Sequence, residues 1–223
     1  MEWPADIDEA RRLQAELGGR VRCVPLGKTP HFVAGVDAAF SEGQAFAAAC
    51  LYDLPSLEPV EDAAAVKDLR FPYLPGLFAF REGPAILAAL KALKRKPDIV
   101  LIDGQGIAHP RRFGLASHLG VLLGLPTVGC AKSRLVGEFR EPCLERGCRS
   151  PLRIDGETVG AVLRTRGGVR PLFVSPGHLI DVGTSVRIVL ETCAGFRIPE
   201  PLRRADRLSR ALRGASGHGP SRT

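Results

Sequence analysis

Apolar and polar positions along residues 32–54 form two strand-like runs, 32–40 (FVAGVDAAF) and 45–54, joined by a short SEGQ turn. A third strand is predicted around residues 58–66. Upstream, residues 6–17 carry acids early and apolar positions at Ile7, Ala10 and Leu13, the spacing of an amphipathic helix. A proline-rich loop at 70–79 leads into REGPAILAALKALK (81–94), which predicts a helix with Pro84 in the first turn, where proline is tolerated. Next come a predicted strand at 99–102, a helix at 112–123 and a strand at 127–130. Residues 138–150 are polar and show no period. Segments 158–163 and 171–174 read as strands on either side of an RTRGG turn, and 180–191 as a helix. Pro199 and Pro201 precede a last, arginine-rich helix at 202–212. The order is an antiparallel beginning followed by strands alternating with helices. It predicts an α/β chain: a mixed β-sheet flanked by helices, in a single domain over residues 1–213. The tail GASGHGPSRT (214–223) has the composition of a disordered segment.

Two of the predicted strands end in the same acid, VAGVD at Asp37 and IVLID at Asp103. An apolar run that stops at a carboxylate reads as a buried strand presenting an acid at its tip. Side by side, two such strands would bring two carboxylates together, which is unfavourable unless a cation intervenes or one acid is protonated. Oxygen-only ligands favour Mg²⁺, with Mn²⁺ as a substitute, over zinc. Periodicity does not establish that the two strands are neighbours; taken apart from the motifs around them, both acids read equally well as strand-end acids capping turns.

The charge balance is consistent with phosphodiester chemistry. Lys and Arg number 31 against 24 Asp and Glu, a formal net charge of +7, which suits a polyanionic partner without demanding one. No uninterrupted apolar stretch approaches the roughly 20 residues that span a membrane, so no membrane partner is expected. The amphipathic, charged N-terminus does not read as a signal peptide. The six cysteines are scattered. Cys143 and Cys148 bracket LERG like half of a zinc site, but no second pair matches them, and the expectation is reduced cysteines in a cytoplasmic protein. The GCAKS segment superficially suggests a nucleotide-binding loop. Cys130 and Ala131 separate Gly129 from Lys132, however, which breaks the required spacing.

Six segments carry a resemblance: VAGVDAAF (33–40), FPYLPGLFAFREGP (71–84), DGQGIAHPRRFGLASHLG (103–120), GCAKSRLVG (129–137), SPGH (175–178) and IPEPLRRAD (198–206). Together, and in this order, they resemble the endonuclease V family, nucleases that act at inosine, the product of adenine deamination. The resemblance implies a ribonuclease H-like fold and a Mg²⁺-dependent DNA-repair endonuclease. That enzyme would hydrolyse the second phosphodiester bond 3′ to inosine, leaving 3′-hydroxyl and 5′-phosphate ends. Its expected partner is inosine-containing DNA, with RNA left open, and a monomer is expected. Two alternatives are another ribonuclease H-like nuclease, such as a branched-DNA resolvase, and a non-catalytic nucleic-acid-binding protein.

By the same resemblance Asp37, Glu82, Asp103 and Asp206 are metal-binding and catalytic acids, and Lys132 is a catalytic lysine contacting phosphate or water. Read without it, Glu82 is a helix-opening acid favoured by the macrodipole, and Asp206 is a surface acid among Arg203, Arg204 and Arg207. Tyr73 lies between prolines and reads either as a packing anchor or, by resemblance, as the tip of a wedge formed with Leu74, Pro75, Gly76 and Leu77. Such a wedge would fill the gap left by a base turned out of the stack. Gly104 and Gly106 permit close backbone approach, and by resemblance they line a base-reading pocket with His109. Hypoxanthine carries N1–H where adenine has a bare N1, and a buried edge that pairs with one leaves a polar group unpaired with the other. His118 is expected in the helix behind this pocket, and His178 in a structural role.

Overall fold

A computed structural model describes residues 3, 4, 6–41 and 43–216. The two apolar runs become a hairpin of β1 (Phe32–Ser41) and β2 (Gln44–Asp53), paired from Phe32 opposite Asp53 to Ser41 opposite Gln44. The third strand, β3 (Pro59–Asp68), extends it at the sheet edge. The remaining strands are β4 (Ile99–Ile102), β5 (Thr127–Ala131), β6 (Arg149–Ile154), β7 (Glu157–Leu163) and β8 (Leu172–His178). Among the described residues they form one eight-stranded sheet in the order β3-β2-β1-β4-β5-β8-β7-β6. The central strands β1, β4 and β5 run parallel, and antiparallel pairs lie on either side.

Helices cover both faces, and the two-residue period of β4 shows why. Ile99 and Leu101 point into a core with Ile180, Val186 and Leu202, whereas Val100 and Ile102 point into one with Ala79, Ile86 and Leu119. The first core lies under α4 (Val182–Thr192) and α5 (Glu200–Ser216), the second under α2 (Phe78–Ala92) and α3 (Leu115–Leu123). The start of α5 presses onto β1 at Gly35, where a Cβ would collide with the Pro201 backbone. The first helix, α1 (Ile7–Gly18), is capped by Asp6, whose carboxylate accepts from Asp8 N–H at 2.8 Å and Glu9 N–H at 2.9 Å.

Several expectations are corrected. Helix α2 begins at Phe78 rather than 81, because Ala79 and Phe80 already pack inward. Glu82 therefore sits in the second turn, and Pro84 lies in the helix interior, where it provides no N–H for the Phe80 carbonyl. Helix α3 starts at Leu115 rather than 112: Arg112 has φ +53°, and a turn closes from Arg112 N–H to the His109 carbonyl at 2.8 Å. Strand β6 lies within and beyond the segment read as aperiodic. Only Leu152 of it is buried, and it carries Pro151. Strand β8 continues through Ser175–His178, past Pro176 and Gly177, because it is buried along its whole length beside β5. Helix α4 starts at Val182, with Asp181 as its cap. Helix α5 runs to Ser216, so residues 214–216 are helical rather than tail; residues 217–223 lie outside the described residues. Cys143 and Cys148 are joined by a disulfide, contrary to the expectation of reduced thiols, while Cys23, Cys50, Cys130 and Cys193 are free. Among the described residues no helix is long and apolar enough to cross a membrane.

Candidate active site

The parallel pairing of β1 with β4 places Val36 opposite Ile102. The next residue on each strand's path is an acid, so Asp37 and Asp103 stand side by side. Only Asp103 follows the end of its strand, as expected; Asp37 lies within β1, which continues to Ser41 because β2 goes on pairing with it. The second turn of α2 adds Glu82 and α5 adds Asp206. Lys132, just after β5, forms an ion pair with Asp103 through Nζ and Oδ2. Five elements thus bring together all five residues read as catalytic.

The electrostatics of this cluster are strained in one direction. Burial, and then the like charges of Asp37 and Asp103, push the Glu82 carboxyl up to about 8. Burial and Asp103 push Asp37 up to about 6, against a hydrogen bond from Ser209 and with a further upward push from Asp206. The Lys132 ammonium is raised above its ordinary value: burial works against its charge, but the Asp103 hydrogen bond and the charges of Asp103, Asp37 and Asp206 prevail. The Asp206 carboxylate also pairs with Arg210 at 2.8 Å. Negative charge therefore exceeds its local compensation.

The chemistry of the donors fits a hard divalent cation. Asp37, Glu82, Asp103 and Asp206 offer only carboxylate oxygens, the ligands of Mg²⁺ and Mn²⁺. Their mutual repulsion is what such a cation would relieve. These acids do not close into a cage with all donors within 4.8 Å. Among the described residues the one group that does is Cys143, Glu145 and Cys148, whose two sulfurs are bonded to each other.

A cleft of about 390 Å³ opens beside the acids, lined among others by Gly76, Glu82, Asp103, Gly104, His109 and Lys132. The proline-rich loop stands at its mouth. Tyr73 is 68% exposed, and its ring leans on Phe78 at a tilt of 39°, with ring centroids 5.0 Å apart. Pro75 is exposed, Leu74 is half-buried, and Gly76 turns the chain at φ +81°. Leu77 differs from the expected wedge surface. It is buried with Ala10, Phe71 and Phe80 and anchors the loop instead of extending it.

In the glycine turn, Gly104 lines the cleft, but Gly106 does not. The Gly106 N–H donates to Ser175 Oγ at 2.8 Å, its carbonyl accepts from Gly114 N–H at 2.9 Å, and a Cβ there would collide with Pro176. With both main-chain groups engaged, Gly106 seats the turn against β8, away from the cleft lining. His109 is buried, accepts from Arg111 N–H at Nδ1 at 3.1 Å, and bonds the Gly76 backbone. Burial, reinforced by the Arg111 charge, lowers His109 to about 4, so it is neutral at physiological pH. His118 lies on α3 among Trp3, Phe80 and Phe113, with neither ring nitrogen bonded among the described residues, and burial lowers it to about 4. His178 accepts from Arg22 N–H at 3.3 Å, a structural bond.

The sequence reading missed three supporting residues. Ser209 is fully buried and donates to Asp37 Oδ2 at 3.0 Å. Its place three residues after Asp206, on the same helix face, was the available signal. Arg197 holds the Lys132 carbonyl at 2.7 Å and the Pro171 carbonyl at 2.9 Å. Gln14 is buried at the back of the cleft, and nothing local marks it.

A sequence model of the family described as Endonuclease V matches residues 15–207. An endonuclease V of Geotalea uraniireducens is 53% identical over 208 residues, which are 93% of this chain and 89% of that protein. The crystal structure of an endonuclease V from Streptomyces avermitilis superposes with a TM-score of 0.91 at 47% identity, covering 96% of each chain. A Ciona intestinalis endonuclease V, crystallised with a 24mer DNA containing an inosine followed by a ribo-adenosine, gives a TM-score of 0.82 at 28% identity. That match covers 94% of this chain and 98% of the other.

Proposed function

The chain belongs to the endonuclease V family, and from that membership we propose that it is a Mg²⁺-dependent endonuclease acting at inosine in DNA. It hydrolyses the second phosphodiester bond 3′ to the lesion, leaving 3′-hydroxyl and 5′-phosphate ends, as a step in DNA repair. The observation that carries this reading is the register of β1 on β4, which sets Asp37 beside Asp103 next to Lys132 and an open cleft.

Asp37, Asp103 and Glu82 would hold the cation, and Asp206 would complete the acidic set from α5. When bound, a divalent cation supplies positive charge at the phosphate and acidifies a neighbouring water. Lys132 keeps its proton at Nζ and adds a second positive charge where negative charge builds on the phosphoryl oxygens. Arg197 orients the Lys132 main chain through the carbonyl it holds. Tyr73, proud of the surface on a proline-stiffened loop, fills the stack when the base turns out. The base enters the cleft lined by Gly76, Gly104 and the neutral His109.

The direct test compares inosine-containing DNA and RNA strands with adenine controls, in Mg²⁺ and in chelator, and maps the ends produced. Cleavage without a divalent cation, or equal cleavage of inosine and adenine strands, would remove the reading. In the same assay Tyr73→Ala is expected to weaken inosine selection more than general DNA affinity. Removing a cation that grips one phosphate lowers the log–log salt slope by about 0.9 in B-DNA, and removing a wedge does not. A changed slope with intact discrimination would take Tyr73 out of the wedge.

A further inference from the structure

Helix α1 lies outside the sheet, yet it carries a side chain whose bonds all run to the cleft. Gln14 is 2% exposed. Its Nε2 donates to the Gly76 carbonyl at 2.8 Å and to the Phe113 carbonyl at 3.2 Å, and its Oε1 accepts from Arg111 Nη1 at 2.9 Å. Both donors and the acceptor of the amide are therefore in use. The direction of the amide is set chemically, since two carbonyls can only accept and a guanidinium can only donate. Gly76 ends the exposed proline-rich loop, while Arg111 and Phe113 belong to the turn that follows Asp103. These segments are far apart in the chain and meet at the cleft, where a Cβ on Gly76 would lie 3.3 Å from Arg111 Nη1 and 3.5 Å from His109 Nε2. Gln14 spans that junction from behind and makes no bond to the acids or to Lys132.

We propose that Gln14 is a positioning residue that sets the gap between the wedge loop and the base-reading turn, and so determines selectivity for inosine over adenine. This rests on the reading of the cleft as a base pocket. Hydrogen-bond discrimination at a base edge works only if the opposing groups are held within a few tenths of an ångström. No strand pairing joins the two loops, so side chains hold that spacing: His109 bonds the Gly76 backbone directly, and Gln14 adds three bonds that reach both loops. Gln14 does so from a helix whose Ala10 packs with Phe71, Leu77 and Phe80.

The test uses Gln14→Met, which keeps length and burial without the bonds, and Gln14→Glu, which keeps the bond to Arg111 but sets oxygen against the Gly76 and Phe113 carbonyls. Folding is checked by circular dichroism and melting, and kinetics are run below the melting transition. Both variants are expected to lower the inosine-to-adenine ratio of kcat/KM by about 10- to 100-fold, the cost of a misplacement on the order of 1 Å. The same loss of preference is expected in chelator, read as anisotropy of labelled inosine and adenine strands. The Mg²⁺ concentration for half-maximal rate should not move. Arg111→Met, which removes one of the three bonds, is expected to give a smaller loss in the same direction. An unchanged ratio in the folded variants would overturn the proposal, as would an equal loss on both strands with a shifted Mg²⁺ dependence. A wild-type enzyme that does not discriminate would instead sink the base-pocket reading on which it stands.

Discussion

Asp37→Ala and Asp103→Ala are each expected to lower cleavage at inosine by about 1,000-fold or more, the equivalent of the several kcal/mol that a bound cation contributes to a phosphoryl transition state. Neither change should unfold the chain. The Asp37 carboxylate holds the Ser209 hydroxyl, and the Asp103 carboxylate holds Lys132. Removing either acid relieves the repulsion that lifts Asp37 and Glu82, so melting in chelator should be unchanged or higher. Single-turnover cleavage and a circular-dichroism melt on the same preparation decide the matter. Substantial Mg²⁺-dependent turnover by either folded variant would remove that acid from the centre. Asp206→Asn is the graded companion. As a ligand it should lower the rate and raise the Mg²⁺ requirement. As no more than the partner of Arg210 it should do neither, because exposed ion pairs are worth less than about 1 kcal/mol.

In chelator, stability is expected to fall as pH rises from 6.5 to 8. The folded chain holds the Glu82 proton up to about 8, whereas the unfolded chain releases it near the ordinary 4.5. The stabilisation from that proton is complete below the unfolded value and is lost as pH climbs through the folded one. Asp37 contributes in the same sense, but its window closes at about 6. His109 and His118, both lowered to about 4 by burial, act oppositely: the unfolded chain protonates them below 6.5 and the folded chain does not, so they add stability as pH rises to that point. Above 6.5 the Glu82 contribution stands alone, at about 1.4 kcal/mol per pH unit, or about 2 kcal/mol across the window. For a chain of this size that is about 5 °C in Tm. Glu82→Gln should flatten the slope, and Mg²⁺ should restore stability at pH 8. A flat melting profile in chelator, or the same slope in Glu82→Gln, would place Glu82 outside the acidic cluster.

What was legible in the chain was whatever a short stretch encodes. The two apolar runs in 32–54 and the short SEGQ turn between them predicted the β1–β2 hairpin to within a residue at each end, because run length and a turn are both encoded locally. The acids at the ends of VAGVD and IVLID, and the order of six motifs, were enough to name the family and to nominate the five residues that converge on the site. The fold class follows from the same alternation of strands and helices.

Other features were not local. Strand β6 exists because β7 offers it an edge; with one buried residue and a proline it has no pattern of its own. Strand β8 runs through Ser175–His178 because burial along its whole length outweighs the punctuation of Pro176 and Gly177. Leu77 sits in a loop motif but is claimed by the core under α1, and Gly106 is claimed by β8. The disulfide of Cys143 with Cys148, the hydroxyl of Ser209 on Asp37 and the three bonds of Gln14 depend on distances between segments that no periodicity records. The adjacency of Asp37 and Asp103 is of the same kind. The chain supplied one acid within β1 and one just past the end of β4, and the parallel pairing of those strands made them one charged cluster, since their repulsion acts only at close range.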